Sequence, residues 1–299
     1  MSRAQLNNLV RFLSAGGARD ANVPIATLRR SFEKLGRVLR APDGVEVRCA
    51  AAAGVDGEVV SPAGGSVRCG EVVYLHGGGY VYGSPATHRG LAGRLALSTG
   101  VPVWNVGYRL APESPYPAAL HDCLAAVEAR LRALGGSPLV LVGDSAGGGL
   151  VLAVLAALRE RGGALPAAGV CLSPWTDLEA TGDSVHANAE SDPLVSLPGL
   201  RRMAELYLDG AHPRSPGASP LHDDLAGLPP MLILAGSTEV LLDDARRVAA
   251  ALERAGVDVT LEVWEHMIHV WPLYAPLLAE GQQAIERVAR FVVGALWAA

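Results

Sequence analysis

A serine is enclosed by small residues in the segment GDSAG, residues 143–147, and it is the first candidate for chemistry. The apolar run LVLVG leads into it and the helix-like run GGGLVLAVLAAL leads out, which predicts a sharp turn from a strand into a helix. The glycines on either side make so tight a bend sterically possible. The pattern is weak by itself, but this context favours Ser145 as a nucleophile that projects from the bend.

A serine nucleophile requires a base that takes its proton and an acid that orients the base. For a nucleophile on such a bend, the acid and the base follow later in the chain, each in a loop after a strand. His269 follows the last predicted strand and is the preferred base, with His266 as its rival. Glu239 is the preferred acid because it lies in the turn directly after the run MLILAG, whereas Asp243 and Asp244 can instead cap the next helix.

Three glycines, residues 77–79, follow the strand-like run VVYLH. Glycine-rich loops can cradle phosphates, but neither GxxxxGK nor GxGxxG with a downstream acid is present here. The backbone N–H groups of such a loop can also approach a developing oxyanion closely. The loop is therefore expected to form part of an oxyanion hole.

The composition excludes several other classes of function. Half of the 299 residues are hydrophobic, 18% are charged and the formal net charge is −5 without a basic run. This predicts a well-packed core and argues against a nucleic-acid partner. Lys34 is the only lysine, and no glycine-rich loop precedes it, which disfavours Schiff-base, Ser–Lys and Walker-A chemistry.

No metal, cofactor or membrane association is expected. The four cysteines are scattered without metal spacing, and His266 and His269 lack an HExxH context or a third ligand. The start of the chain lacks a basic segment followed by a long apolar one. The most apolar segment, residues 150–158, is far shorter than the roughly 20 residues that span a bilayer. A cytoplasmic protein is the resulting prediction.

Apolar strands and helices alternate along most of the chain, which predicts an α/β fold with a mostly parallel sheet covered on both faces. Strand-like runs lie at residues 45–52, 57–62, 72–76, 101–110, 139–143, 167–175, 231–237 and 259–265. Helix-like runs lie at residues 87–100, 117–135, 147–163, 243–256 and 284–297.

Two segments depart from this alternation. Residues 1–40 are predicted to form an amphipathic, helical cap segment, and residues 179–216 a cap or lid insertion with one helix-like patch, LPGLRRMAELYLDG. The catalytic core is then expected to comprise residues 41–178 and 217–299.

The motifs HGGG at residues 76–79 and GDSAG together resemble those of the hormone-sensitive-lipase-like (family IV) bacterial carboxylesterases of the α/β-hydrolase superfamily. The segments YRLAPE at 108–113, SPWTDL at 173–178 and EVLLDDA at 239–245 extend the resemblance over nearly the whole chain. It implies an α/β-hydrolase fold with a helical cap, and often a homodimer built through the last strand.

Residue by residue, the resemblance implies Ser145 as nucleophile, Glu239 as acid and His269 as general base. Many relatives carry aspartate at the acid position, which leaves Asp243 as an alternative. The remaining implied residues concern the oxyanion hole: N–H donors from Gly78, Gly79 and Ala146, a loop shaped by Gly77, and structural supports in His76, Tyr108, Arg109 and Glu113.

The implied activity is that of a serine carboxylesterase acting on small esters of short to medium acyl chains, without a cofactor. Amide, lactone or carbamate hydrolysis would use the same acyl-enzyme route, so the mechanism leaves these alternatives open. A catalytically silent small-molecule-binding protein on the same fold is a further alternative.

Overall fold

The computed structural model describes residues 3–15 and 19–298. Residues 1–2 and 16–18 of the predicted N-terminal segment, and residue 299 of the predicted core, therefore lie outside the described residues. One eight-stranded sheet organises the described chain, with the strand order β1-β2-β4-β3-β5-β6-β7-β8. The strands are β1 Val45–Ala52, β2 Val55–Pro62, β3 Glu71–Leu75, β4 Val103–Val106, β5 Leu139–Asp144, β6 Ala168–Leu172, β7 Met231–Gly236 and β8 Val259–Trp264.

The sheet is mostly parallel, which confirms the predicted fold class. Only β1 with β2 and β2 with β4 pair antiparallel, while the remaining neighbours among the described strands pair parallel. The central strands β3, β5, β6 and β7 are buried along their whole length. Burial on both faces explains why their sequences are continuous apolar runs without alternation.

Helices cover both faces of the sheet. They are α1 Arg3–Ala15, α2 Ile25–Val38, α3 Pro85–Thr99, α4 Ala118–Leu134, α5 Ala146–Glu160, α6 Ser184–Ala187, α7 Leu197–Leu208, α8 Leu242–Arg254 and α9 Ala279–Ala298. Short 3₁₀ helices lie at Pro220–His222 and Trp271–Tyr274.

Two apolar clusters, one on each face, follow from the alternation of side chains along the strands. In β3, Val73 and Leu75 pack with α4, α5, α7 and α8, whereas Val72 and Tyr74 pack with α1, α3 and α9. Successive side chains of a strand point to opposite faces, so a single strand contributes to both clusters.

Two predicted strands are at least four residues longer than the observed ones. The predicted strand 101–110 is paired only over Val103–Val106. The predicted strand 167–175 ends at Leu172 because Ser173 adopts a left-handed conformation with φ 49° and Pro174 follows it. Apolar composition cannot reveal such a turn.

The N-terminal segment contacts both the predicted core and the predicted insertion. Arg29 of α2 donates to the carbonyl oxygens of Val81 and Ala111 and pairs with Glu113. Arg202 of the predicted insertion binds the segment between α1 and α2, since it donates to the carbonyl oxygens of Ala21 and Val23. A further bond runs from the Ser196 hydroxyl to the carbonyl oxygen of Arg19.

Candidate active site

Ser145 lies at the bend between β5 and α5 that the sequence predicts. Its backbone has φ 53° and ψ −120°, a conformation that L-residues rarely adopt, and its N–H donates to Leu172 O at 2.8 Å. A Cβ at Gly143 would overlap the backbone of Gly147, and one at Gly147 would overlap Leu75 O. The two glycines thus allow the bend at Ser145 to pack closely against both helix α5 and strand β3.

His269 and Glu239 meet Ser145 from two other loops. The Nε2 atom of His269 lies 3.0 Å from Ser145 Oγ, and its Nδ1 atom lies 3.1 Å from Glu239 Oε2. Glu239 follows β7, and His269 lies in the loop after β8. Distances of this size are within hydrogen-bond reach, so the hydroxyl, the imidazole and the carboxylate form one continuous chain.

The rival candidates are bound elsewhere. His266 is exposed, and its backbone N–H donates to the hydroxyl of Ser237. Asp243 accepts the N–H of Ser184 at 2.8 Å, and Asp244 accepts the N–H groups of Thr176 and Asp177. Asp243 and Asp244 belong to the first turn of α8, where negative charge is favourable, but the N-cap of this helix is Leu241, which makes no side-chain capping hydrogen bond.

The carboxylate of Glu239 is fully buried, and its two oxygens bind different partners. Oε1 accepts the hydroxyl of Ser173 at 2.7 Å and the N–H of Gly236 at 2.5 Å, which leaves Oε2 for His269. Charge-assisted hydrogen bonds of this kind hold a buried carboxylate in one orientation. One oxygen is therefore tied to the surrounding frame, while the other faces the imidazole.

The electrostatics favour a proton on His269. Burial disfavours the charged imidazolium, but the hydrogen bond to Glu239 and the negative charge of that carboxylate outweigh it and raise the pKa of His269 above its ordinary value. An imidazole in this environment can accept the proton of a neighbouring hydroxyl and keep it for a leaving group.

The glycine loop contains N–H groups without acceptors. Across residues 3–15 and 19–298, the backbone N–H groups of Gly78, Gly79 and Ala146 have no hydrogen-bond acceptor. Most N–H groups in protein interiors are paired, so two unpaired ones in the glycine loop and one in the residue after Ser145 require an explanation. Gly78 and Gly79 adopt φ values of 112° and 58°, which residues other than glycine disfavour.

Asp144, the neighbour of Ser145, ties the glycine loop to the elbow. Its Oδ1 accepts the hydroxyl of Tyr74 at 2.6 Å and the N–H of Gly77 at 2.9 Å, and His88 Nε2 lies 3.4 Å away. Burial opposes the charge, but His88 and the Tyr74 hydroxyl outweigh it and lower the pKa of Asp144. Asp144 therefore binds its surroundings through local hydrogen bonds and makes none to His269.

Of the residues implied as supports of the loop, Tyr108 contacts His76 directly, whereas Glu113 and Arg109 bind arginine and aspartate side chains outside the loop. Tyr108 donates its hydroxyl to His76 O at 2.6 Å and stacks on the His76 ring. Burial next to His88 lowers the pKa of His76 to about 3, so this ring is neutral near pH 7. Glu113 pairs with Arg29, and Arg109 forms a forked ion pair with Asp122.

Three residues that contact Glu239 or its neighbour Val240 are not among the predicted site residues. Ser173 contacts the carboxylate of Glu239, Asn188 donates to Glu239 O at 2.7 Å, and Asp192 accepts the N–H of Val240 at 3.0 Å. The motif SPWTDL includes the first of these without indicating a role, while the other two lie in the insertion and carry no local pattern. Asn188 and Asp192 thus bind the loop that carries Glu239.

One group of side chains could hold a cation by distance alone. Among the described residues, ligand atoms of Asp177, Glu179 and His222 lie within 4.8 Å of one another. Arg247 already binds Asp177 and Arg214 binds Glu179, so two guanidinium groups oppose a further positive charge there. The group does not include Ser145, Glu239 or His269.

Known proteins share this fold and the segments that carry the site. A family model described as the alpha/beta hydrolase fold matches residues 72–273. An acetyl-hydrolase of Streptomyces hygroscopicus is 50% identical over 224 residues, 74% of each chain. An esterase of Acinetobacter venetianus is 34% identical over 273 residues, 90% of this chain and 89% of its own.

Solved structures agree over almost the entire chain. The crystal structure of an esterase from the bacterial hormone-sensitive lipase family is 43% identical, covers 99% of each chain and superimposes with a TM-score of 0.93. The esterase EstE5, in crystals soaked with p-nitrophenyl butyrate, is 42% identical over 99% of each chain with a TM-score of 0.91. Among the described helices, none is long and apolar enough to cross a membrane.

Proposed function

The chain belongs to the hormone-sensitive-lipase-like esterases of the α/β-hydrolase fold and is an ester-hydrolysing enzyme, and from this premise we propose that Ser145, His269 and Glu239 are its catalytic residues. The single observation that carries the proposal is the continuous chain of contacts from Ser145 Oγ through the imidazole to Glu239. Such a chain couples a hydroxyl to a base and the base to a buried charge.

In the proposed mechanism, His269 takes the proton of Ser145 Oγ as that oxygen attacks the ester carbonyl. Glu239 keeps Nδ1–H pointed at itself and stabilises the imidazolium that forms. The imidazolium then protonates the departing alcohol, and an acyl-enzyme remains on Ser145. A water molecule, deprotonated by the same imidazole, releases the acid and restores the serine.

The unpaired N–H groups of Gly78, Gly79 and Ala146 are the proposed oxyanion hole. Donors that are already oriented before the reaction stabilise the tetrahedral oxyanion without reorganisation. Their lack of acceptors within the described part of the chain supports this role. Gly77 positions the loop by donating to Asp144.

We propose small esters with short to medium acyl chains as the substrate class. The name of the acetyl-hydrolase relative supports the short end of this range. Met203 of α7 lies against Gly79, and α7 also contributes the buried Tyr207, whose ring stacks on Tyr80 of the glycine loop. Large side chains packed directly on this loop leave little room for a long acyl chain.

The domain division is also proposed: residues 1–40 with 179–216 as a cap on a core of residues 41–178 and 217–299. Hydrogen bonds from Arg202 and Ser196 to the segment between α1 and α2 support a cap formed by both segments. A homodimer through β8 is favoured by the position of that strand at the end of the sheet. The cytoplasmic location stays a prediction from the sequence.

The test uses p-nitrophenyl esters from acetate to palmitate with the wild type, Ser145→Ala and, as a matched control, Ser137→Ala at an exposed serine. We expect turnover to be highest on short chains and to fall by about 10⁴–10⁶-fold in Ser145→Ala, since alanine supplies no nucleophile. Ser137→Ala should match the wild type.

Absence of wild-type turnover on every ester would contradict the ester specificity. Amide, lactone and carbamate substrates would then be tried, and labelling by a fluorophosphonate would ask whether Ser145 reacts at all. No labelling would favour the silent binding protein.

A further inference from the structure

Strand β6 ends in a second serine that the mechanism above does not use. Ser173 follows β6 as Ser145 follows β5, and the two positions have similar φ angles: 49° at Ser173 and 53° at Ser145. Each N–H donates to a carbonyl of the next strand, Ser145 to Leu172 O at 2.8 Å and Ser173 to Leu234 O at 2.7 Å. Ser173 differs in being fully buried, so it is unavailable as a nucleophile.

We propose that Ser173 is a positioning residue for the acid and the base, an inference that rests on the proposed roles of Glu239 and His269. Its hydroxyl donates to Glu239 Oε1 at 2.7 Å and accepts the N–H of Val270, the residue after His269, at 3.0 Å. A single oxygen atom thereby links the carboxylate to the backbone that carries the imidazole.

The length of the glutamate side chain explains why a second anchor is required. Glutamate has one more rotatable bond than aspartate, so its carboxylate has more orientations to lose when it faces the imidazole. The N–H of Gly236 fixes Oε1 from the strand side, and the Ser173 hydroxyl fixes it from the side of the His269 loop. With Oε1 held by two donors, Oε2 is left pointing at Nδ1.

The left-handed backbone of Ser173 is consistent with this role. A residue with φ 49° is strained unless it is glycine, and such strain persists only where the surroundings over-determine the conformation. Glycine at this position would relieve the strain but supply no hydroxyl. The serine in the motif SPWTDL is therefore explained by its oxygen atom rather than by the shape of the turn.

The experiment compares Ser173→Ala, Ser173→Gly and the wild type on p-nitrophenyl acetate. We expect kcat to fall about 10–100-fold in both variants, similar to the loss when a group that orients a metal-binding histidine is removed, with KM within about twofold. The pKa of His269, followed by NMR titration of the imidazole, should fall in both, because a less well anchored Glu239 stabilises the imidazolium less.

The glycine variant separates the hydroxyl from the backbone. Wild-type kcat and an unchanged His269 titration in a folded Ser173→Gly protein would overturn the proposal and leave Ser173 a purely conformational residue. If Ser173→Ala unfolds, as thermal melting would reveal, Ser173→Gly still decides the question.

The NMR titration does not depend on turnover, so the proposal is tested even if the wild type hydrolyses no ester. In that case a lowered pKa of His269 in both variants would support the positioning role while the proposed substrate class fails.

Discussion

Two buried carboxylates near Ser145, those of Asp144 and Glu239, differ in their hydrogen-bond partners. Asp144 is its neighbour in the chain, but its carboxylate turns away to the hydroxyl of Tyr74 and the N–H of Gly77. Glu239 comes from a distant loop, and its carboxylate reaches His269. Proximity in sequence to Ser145 is therefore no guide to which carboxylate contacts the imidazole of His269.

The groups near the two carboxylates also differ in whether they change protonation state near neutral pH. Burial, together with the charge of Asp144, raises the pKa of Tyr74 well above its ordinary value, and burial lowers the pKa of His76, the residue before Gly77, to about 3. These groups keep one protonation state around neutral pH. His269, beside Glu239, gains and loses a proton in every proposed catalytic cycle. The Asp144 side is a fixed frame, and the Glu239 side carries the proton transfer.

Of the substitutions that neutralise one of these carboxylates, Glu239→Gln should lower kcat the most. An amide at this position presents an N–H₂ or a neutral oxygen to Nδ1 and no longer stabilises the imidazolium, so kcat should fall about 10³–10⁴-fold. Steady-state kinetics on p-nitrophenyl acetate measures the loss. Asp243→Asn is the matched control because Asp243 binds Ser184 instead. A mild effect of the first variant and a severe effect of the second would return the role of the acid to Asp243.

A smaller loss is expected from Asp144→Asn, which keeps the shape of the side chain but removes its charge. The hydrogen bonds from Tyr74 and Gly77 should weaken, so the glycine loop is held less firmly. Because this loop carries two of the proposed oxyanion donors, kcat should fall about 10–100-fold. The free energy of unfolding should fall by about 2 kcal/mol, as denaturant titration would measure. Tyr74→Phe removes one donor only and should act in the same direction by less. An unaltered kcat in a destabilised Asp144→Asn protein would mean that Asp144 contributes to stability and not to turnover.

The smallest expected effect is a shift of the pH profile. Activity requires neutral His269, so kcat/KM rises as pH increases through the pKa of this group, which Glu239 raises above about 6.5. The residual activity of Glu239→Gln should show this rise at lower pH. Asp144→Asn should move it much less, because Asp144 acts on the imidazole more weakly than Glu239 does. Equal shifts in the two variants would mean that both carboxylates support the base.

The parts of the site that the sequence could predict are those coded within a few consecutive residues. GDSAG and HGGG each combine a strand end, glycines and a reactive or binding atom, so Ser145 and the glycine loop can be located before any contact is known. The preference for His269 over His266 follows from chain order, and its Nε2 atom lies 3.0 Å from Ser145 Oγ. Glu239 is preferred to Asp243 from its position after β7, which the contact with His269 supports.

The parts that could not be predicted depend on contacts between distant segments. Ser173 binds a carboxylate 66 positions away, and Asp192 binds a backbone N–H 48 positions away. Neither contact leaves a periodic or compositional signal. The predicted ends of β4 and β6 lie too far along the chain for a related reason: hydrogen bonding and a left-handed turn, and not hydrophobicity, determine where a strand stops.

The hydrogen bonds between the N-terminal segment and the insertion have a consequence for folding during synthesis. Ala21 leaves the ribosome 181 positions before Arg202, the residue that binds its carbonyl oxygen. At about 5–20 residues per second, this interval lasts roughly 10–35 s. During that time the segment between α1 and α2 lacks the residues that bind it, Ser196 and Arg202, and contacts of such high sequence separation form slowly. The nascent chain should therefore depend on chaperones most strongly before α7 has left the ribosome. This dependence should decline once residues 189–202 can bind the segment between α1 and α2.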